Sequence, residues 1–326
     1  MRVVMIEVGH WHATMHLRSL RLAGATIVGV SDRQPEVAAC FAAEIGCPVY
    51  ADHREMLAGI RPDFALVLGR HVDMPAISRD VIEAGIPCAI EKPAGVSSEQ
   101  LAPLVDLVQR RGAFVAVPFT NRYSELWVRL ARLEESGRAG PRAHAHFRIV
   151  NGPPARYERD GVSWMLDPAV SGGGAMRNLG IHAVDAFLHL TAGEEVTVVG
   201  AAASHRVYGR AVEEMATALL RSESGVVGTV EAGYTYAAMS GGDYEWRVAV
   251  GNCYLVDRGP MLEVATLDDG RRASVEIPDQ RARYDRFAGD TLSRLQTGQR
   301  PVATLDDCYR AMRVVDEIYR IAAQTT

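Results

Sequence analysis

Along the first 120 positions, apolar residues fall into two alternating patterns. Short, mainly apolar runs at 2–8, 26–31, 64–68, 87–90 and 114–117 read as strands, and the run at 87–90 as a buried one. Between them, 11–22, 35–45, 75–84 and 97–111 carry apolar residues at helical spacing. Pro35 opens one of these helices, and Ser97 with Gln100 forms a capping box for another. Strands alternating with helices of this length predict a doubly wound parallel α/β sheet with right-handed crossovers. Beyond 120 the pattern changes. Residues 125–135 read as a helix closed by Gly137, and 143–150 alternate as a strand. Residues 151–174 are rich in Gly, Pro and aromatic residues and read as a long loop, whereas 178–190 are helical. Segments at 196–204, 215–220, 226–236, 246–250, 253–256 and 274–277, broken by Gly-rich turns, predict a largely antiparallel sheet. Helices starting at Tyr284 and at Thr304 close the chain.

Composition narrows this picture. A chain of 326 residues is long for one core, so two domains are expected, 1–120 and 121–326. Apolar content of 48% and charged content of 23% suit a water-soluble globular protein. With a net charge of −5 and no basic cluster, nucleic acid is not an expected partner. The apolar run that begins at Met1 meets Glu7, too early for a signal peptide or a membrane span, so no membrane partner is expected. Five cysteines without a C-x-x-C pair predict reduced thiols and a cytoplasmic location.

Candidate chemistry begins at the first strand. A strand, a tight turn, a helix and an acid some 20 or more residues later form the layout of a dinucleotide-binding βαβ unit, so the first domain is expected to be Rossmann-type. Asp32 ends the second strand, where a carboxylate accepts hydrogen bonds from adenosine ribose hydroxyls and repels a 2′-phosphate. That favours NAD, while the adjacent Arg33 keeps NADP open. The turn itself is degenerate. Only Gly9 remains of G-x-G-x-x-G; Glu7 stands at the first glycine and His12 at the third, with His10 and Trp11 between. His10, His12 and His16 with Glu7 offer a metal cluster as the alternative to a cofactor turn, but their spacings match no closed zinc site, and no metal is expected. Further on, the apolar run ending at Ile90 meets Glu91, Lys92 and Pro93. Ligands of open α/β sheets bind at such strand tips, and Pro93 restricts the Lys92 backbone. In the second half, His182, Asp185 and His189 share one helix face just after Gly172, Gly173 and Gly174. Trp164 and Tyr157 are candidates for a lid or a substrate wall, or simply for anchors of the loop.

Residues 84–93, Ala-Gly-Ile-Pro-Cys-Ala-Ile-Glu-Lys-Pro, resemble the A-G-x-x-V-x-x-E-K-P signature of the glucose–fructose oxidoreductase, inositol dehydrogenase and rhizopine-catabolism family of NAD(P)-dependent oxidoreductases. Phe119 to Tyr123 are similar to the segment leaving that family's nucleotide domain. Gly172 to Gly174 with Gly180, His182 and Asp185 resemble G-G-G-x-x-x-D-x-G-x-H-x-x-D. Tyr284, Phe287 and Gly298 through the last helix are similar to the C-terminal pattern. The resemblance implies Lys92, His182 and Asn178 as catalytic residues. It implies a cofactor site of Gly9, His10, Trp11, His12, Asp32, Arg33, Gly69, Arg70, His71, Glu91 and Lys92. Arg122, Trp164, Arg177 and Asp185, with the catalytic three, are implied to meet a sugar or polyol substrate. It also implies a homodimer or homotetramer formed through the second domain's open sheet. Three departures stand out: the degenerate turn; Gly69-Arg70-His71 in place of T-P-N, with Met74 where a histidine is common; and Asn178 in place of the aspartate. Two alternatives to a dehydrogenase are an NAD-using glycosidase or lyase of the same family and a dinucleotide- or sugar-binding sensor.

Overall fold

The computed structural model describes residues 1–324. The chain forms two compact units. One comprises Met1–Phe119, Tyr157–Gly172 and Tyr284–Arg310; the other comprises Thr120–Arg156, Gly173–Arg283 and the residues from Ala311 onward.

In the first unit, β1 (Arg2–Ile6), α1 (Ala13–Leu22), β2 (Thr26–Ser31), α2 (Pro35–Ala43), β3 (Val49–Tyr50), α3 (His53–Ile60), β4 (Phe64–Val67), α4 (Met74–Glu83), β5 (Cys88–Ile90), α5 (Ser98–Arg111) and β6 (Val115–Ala116) follow in order. The strands form one parallel sheet in the order β3-β2-β1-β4-β5-β6. Residues 3–6, β4 and β5 are buried at every position, which explains their continuous apolar runs. Ser97 caps α5 as expected, its hydroxyl accepting from Gln100 N at 3.2 Å. Sequence reading misses β3 and α3. The strand has two residues, and α3 buries only Met56 and Leu57, too few to show a period.

The expected loop at 151–174 contains helical turns: α7 (Ala155–Arg159), a 3₁₀ turn (Ser163–Leu166) and α8 (Pro168–Ser171). Each is too short to display periodicity. Their signals are local: Asp167 accepts the Ala169 N–H at 2.9 Å, and Pro168 occupies the first helical position. Gly172 ends α8 at φ +76°, and a Cβ there would lie 2.6 Å from Val96 Cα.

The second unit holds α6 (Glu125–Glu135), β7 (Arg142–Asn151), α9 (Ile181–Leu190) and seven further strands: β8 (Val196–Ser204), β9 (Met215–Ser222), β10 (Val227–Gly233), β11 (Gly242–Val250), β12 (Cys253–Asp257), β13 (Met261–Thr266) and β14 (Arg272–Glu276). Helices α10 (Gln280–Thr297) and α11 (Leu305–Ala322) complete the chain. The eight strands run in the order β14-β13-β12-β11-β7-β10-β9-β8, antiparallel except for the β7–β10 pair. β13 is an unexpected strand: a short run between two turns, burying Leu262 and Val264. One face of the sheet buries Phe147, Trp246, Val230 and Leu255, and Phe187 of α9 fills the space that Gly228 leaves. The other face carries charged pairs as well as apolar groups. Arg148 pairs with Glu231 (2.9 Å) and Asp243 (2.8 Å), and Arg258 pairs with Glu245 and Glu263 (2.7 Å each), with Leu219 and Val227 exposed beside them. Alternation along a strand places charges on this face as readily as apolar groups.

Candidate active site

The register of the parallel sheet brings four strand ends level. Ile6 lies beside Ser31 on one side and Val67 on the other, and Val67 lies beside Ile90. The residues that follow, Glu7, Asp32, Leu68 and Glu91, therefore form one row along the C-terminal edge. β1 and β4 are neighbours whose connections leave in opposite directions. This is a topological switch point, where open α/β sheets hold their ligands.

Asp32 is buried at the tip of β2. Its Oδ2 accepts the Gly9 N–H at 2.7 Å and its Oδ1 accepts the Gln34 N–H at 2.9 Å. A carboxylate can accept about four hydrogen bonds, so capacity remains for ribose hydroxyls. Beside it the Ser31 hydroxyl is buried with no hydrogen-bond partner among the described residues. A Cβ on Gly9 would lie 3.0 Å from Asp32 Oδ2, so glycine is what lets turn and acid close on each other. Close backbone approach, an acid with spare acceptors and an orphan hydroxyl fit an adenosine dinucleotide at this edge.

Glu7, at the place of the missing first glycine, adopts φ 60°, the left-handed region that glycine favours. Its carboxylate turns to Arg33, whose Nε donates to Oε2 at 2.6 Å and whose backbone N–H donates to Oε1 at 3.1 Å. Burial raises the Glu7 carboxyl, and the Arg33 hydrogen bond and charge oppose that rise. Arg33 also pairs with Asp73 at 2.8 Å, and Asp73 with Arg70 at 2.6 Å. Gly69, φ +118°, makes room for Glu7: a Cβ there would lie 3.1 Å from Glu7 Cβ.

His10 stacks on Trp11, ring centroids 3.9 Å apart, and accepts the His12 N–H at Nδ1 (3.2 Å). Trp11 meets Trp164 at 5.8 Å and Tyr157 at 5.9 Å, and His71 meets Trp164 edge-on at 5.0 Å. His71 Nδ1 lies 2.7 Å from the Ser171 carbonyl. Both aromatic residues of the 157–172 segment thus join the cofactor-turn candidates within the first unit.

At the tip of β5, Glu91 Oε1 accepts from His12 Nδ1 (3.0 Å) and His16 Nε2 (2.8 Å), and its Oε2 accepts the Lys92 N–H (2.8 Å). Burial would raise this carboxyl, but the two imidazoles outweigh it and hold it well below the ordinary range. Tyr284 places its hydroxyl 3.3 Å from His12 Nδ1. The considered cluster of His10, His12, His16 and Glu7 does not converge: two of the imidazoles serve Glu91, and Glu7 serves Arg33. Lys92 is buried, which lowers its ammonium pKa, while Glu91 and the Cys308 thiol oppose the drop. The Lys92–Pro93 bond is cis.

In the second unit, a π-turn (Met176–Gly180) precedes α9. Such turns often mark functional positions in helices. Asn178 is buried within it and donates from Nδ2 to the Tyr234 hydroxyl at 3.3 Å; His182 stands half-buried in the first turn of α9. Asp185 is buried rather than a surface charge and takes a two-pronged contact from Arg122, 3.1 Å from Nε and 2.6 Å from Nη2. Arg177 pairs with Asp316 at 2.5 Å and lies over the Tyr319 ring. These three substrate candidates are thus already engaged with protein groups. Sequence reasoning missed Glu213, which accepts the N–H groups of Gly174 (2.7 Å) and Met176 (2.8 Å) and the Tyr319 hydroxyl (2.8 Å). Glu213-Glu214 in sequence looks like a solvated acidic pair; nothing local shows that the glycine run folds onto it.

Comparison with known proteins agrees with this architecture. Residues 1–119 match the model of the oxidoreductase family with an NAD-binding Rossmann fold, and 127–251 match the GFO/IDH/MocA C-terminal domain. A UDP-N-acetylglucosamine 3-dehydrogenase from Acidithiobacillus ferrooxidans is 28% identical over 237 residues, 71% of this chain and 66% of that protein. Inositol 2-dehydrogenase 2 from Saccharopolyspora erythraea is 28% identical over 68% of this chain and 64% of its own length, so the chain spans just under two-thirds of these two relatives. A D-xylose 1-dehydrogenase (NADP⁺) from Haloferax volcanii is 25% identical over 90% of this chain and 88% of its own. A solved levoglucosan dehydrogenase, in complex with NADH and levoglucosan, superposes with a TM-score of 0.89 at 17% identity, covering 100% of this chain and 98% of that one. The chain belongs to the GFO/IDH/MocA oxidoreductase family, and its residues 1–119 are that family's NAD-binding Rossmann domain.

Proposed function

We propose that this chain is an NAD-dependent dehydrogenase acting on a CH–OH group of a sugar, inositol or related polyol. The observation that carries the reading is the buried Lys92 at the tip of β5, one strand from the switch point of an NAD-binding sheet. The nicotinamide, when bound, supplies the hydride acceptor. Oxidising a carbinol also requires loss of the hydroxyl proton, and His182 is the general base in this proposal. Lys92 donates a hydrogen bond to the same oxygen and stabilises its developing negative charge. Glu91 keeps Lys92 in place through the backbone, and the two imidazoles keep Glu91 in place. Asn178 orients His182 or the substrate, while Arg122 and Asp185 brace α9 through their ion pair. The first unit takes the dinucleotide and the second takes the substrate and forms a homo-oligomer through its sheet. Five cysteines with no C-x-x-C pair suit a reducing, cytoplasmic setting.

The test is an absorbance screen at the nicotinamide band with sugars and polyols and both dinucleotides. Lys92→Ala and His182→Ala should each cut kcat by a factor of ~10²–10⁴ with the Kd for NAD nearly unchanged. The double variant should be far from additive, because both groups act on one atom. Full activity in either single variant would defeat the assignment. Release of product without net change in cofactor redox state would favour the glycosidase or lyase chemistry instead.

A further inference from the structure

We propose that Glu7 sets the dinucleotide preference by withholding Arg33 from the 2′-phosphate. The inference rests on the dinucleotide reading of the first unit and names the residue that decides which dinucleotide is taken. In such folds the acid at the end of the second strand meets the ribose 2′-hydroxyl, and a neighbouring arginine accommodates a 2′-phosphate. Here the arginine follows the acid directly, as Asp32-Arg33. Taken alone, that pair leaves the preference undecided.

The geometry decides it. Glu7 grips Arg33 at two points, the guanidinium Nε at 2.6 Å and the backbone N–H at 3.1 Å. Asp73 takes a further guanidinium nitrogen at 2.8 Å and is itself held by Arg70. A guanidinium engaged by two carboxylates has little to offer a third anion. To hold a 2′-phosphate, Arg33 would have to leave Glu7, and the phosphate would then lie among Glu7, Asp32 and Asp73. The site is built for this arrangement. Glu7 keeps a left-handed φ of 60° that side chains rarely adopt, and Gly69 opposite lacks the Cβ that would crowd it at 3.1 Å. A glycine at position 7 would suit the backbone better and bring no carboxylate near the pyrophosphate. The glutamate accordingly acts as an internal counter-ion, one that closes the arginine to NADP.

Equilibrium fluorescence titrations of the whole chain with NADH and NADPH give the test. The wild type should bind NADH at least ~10-fold more tightly than NADPH. Glu7→Gly, which relieves the backbone and frees Arg33, should tighten NADPH by about 10-fold, the scale of one charge-assisted contact to phosphate, and change NADH by less than about 3-fold. Adding Arg33→Ala to Glu7→Gly should abolish that gain. Tight NADH binding with an unchanged ratio in Glu7→Gly would overturn the proposal, as would a gain that survives Arg33→Ala or equal wild-type affinities. A wild type that binds neither dinucleotide would overturn the dinucleotide reading itself, and is distinguishable because no affinity is then measured at all.

Discussion

At the scale of single residues, the turn after β1 shows how side chains replace missing glycines. His12 occupies the third glycine position and spends its imidazole on Glu91. His10 stacks on Trp11 and is held neutral: burial lowers it well below its ordinary value of 6.5, and His12 adds to the drop. Burial also lowers His12, against the pull of Glu91. All three groups, His10, His12 and Glu91, have depressed folded-state values. Each therefore contributes stability above its unfolded value that is lost as pH falls through the folded one. Melting temperature should be flat above about pH 7 and begin to fall near pH 6.5, as unfolded histidines take up protons that the fold excludes. A second decline should begin in the ordinary carboxylate range, as the unfolded Glu91 takes up a proton that the fold excludes, and end once the folded carboxyl itself protonates. His10→Phe keeps a ring against Trp11 and should flatten the first part of that slope in thermal melts. An unchanged slope would show that the imidazole at position 10 is not buried neutral.

Among the elements, the π-turn ahead of α9 depends on a partner far away in sequence. Gly174 and Met176 point their N–H groups at Glu213, and the Gly174 Cβ position is occupied by Glu213 itself. Burial raises the Glu213 carboxyl, and the N–H groups of Met176 and Gly174 and the Tyr319 hydroxyl work against that rise. Glu213→Ala would leave two backbone donors without an acceptor, and a buried unsatisfied donor costs about 1–3 kcal/mol. A loss of roughly 2–4 kcal/mol is expected in chemical denaturation, with Glu213→Gln intermediate because one amide oxygen still accepts. If the turn positions Asn178 and His182, kcat should fall in Glu213→Ala even below the melting transition, with dinucleotide Kd unchanged. Stability lost with kcat intact would limit Glu213 to a structural role.

For the molecule as a whole, the second unit is pinned at a buried arginine. Arg283 bonds Asn121 Oδ1 (2.8 Å), the Tyr244 hydroxyl (3.0 Å) and Asp257 (3.0 Å), joining the segment before α6 to β11 and β12. Burial raises the Asp257 carboxyl, and Arg283 opposes it. Removing one partner of a buried ion pair costs about 3–5 kcal/mol, because the other charge is left uncompensated. Arg283→Ala should lower stability by that order in calorimetry, and Arg283→Ala with Asp257→Asn should recover part of it. The same unit carries the proposed subunit interface. A monomeric mass by light scattering at micromolar concentration would end that part of the proposal.

The sequence by itself determined the alternation of strands and helices in the first unit, apart from β3 and α3, because buried strands leave apolar runs and crossover helices leave a period; the order of the strands came from the fold. The sequence also marked Lys92, Asp32 and Gly9, since strand tips follow directly from where those runs stop. Tertiary structure alone decided which side chains answer which. The pairing of Arg33 with Glu7 and Asp73, of Glu91 with His12 and His16, and of Glu213 with the glycine run joins positions tens of residues apart. No local pattern encodes such pairs. A charged residue in sequence looks the same whether it will meet water or a counter-ion, and only the folded sheet, with its fixed register, brings the two within hydrogen-bond distance.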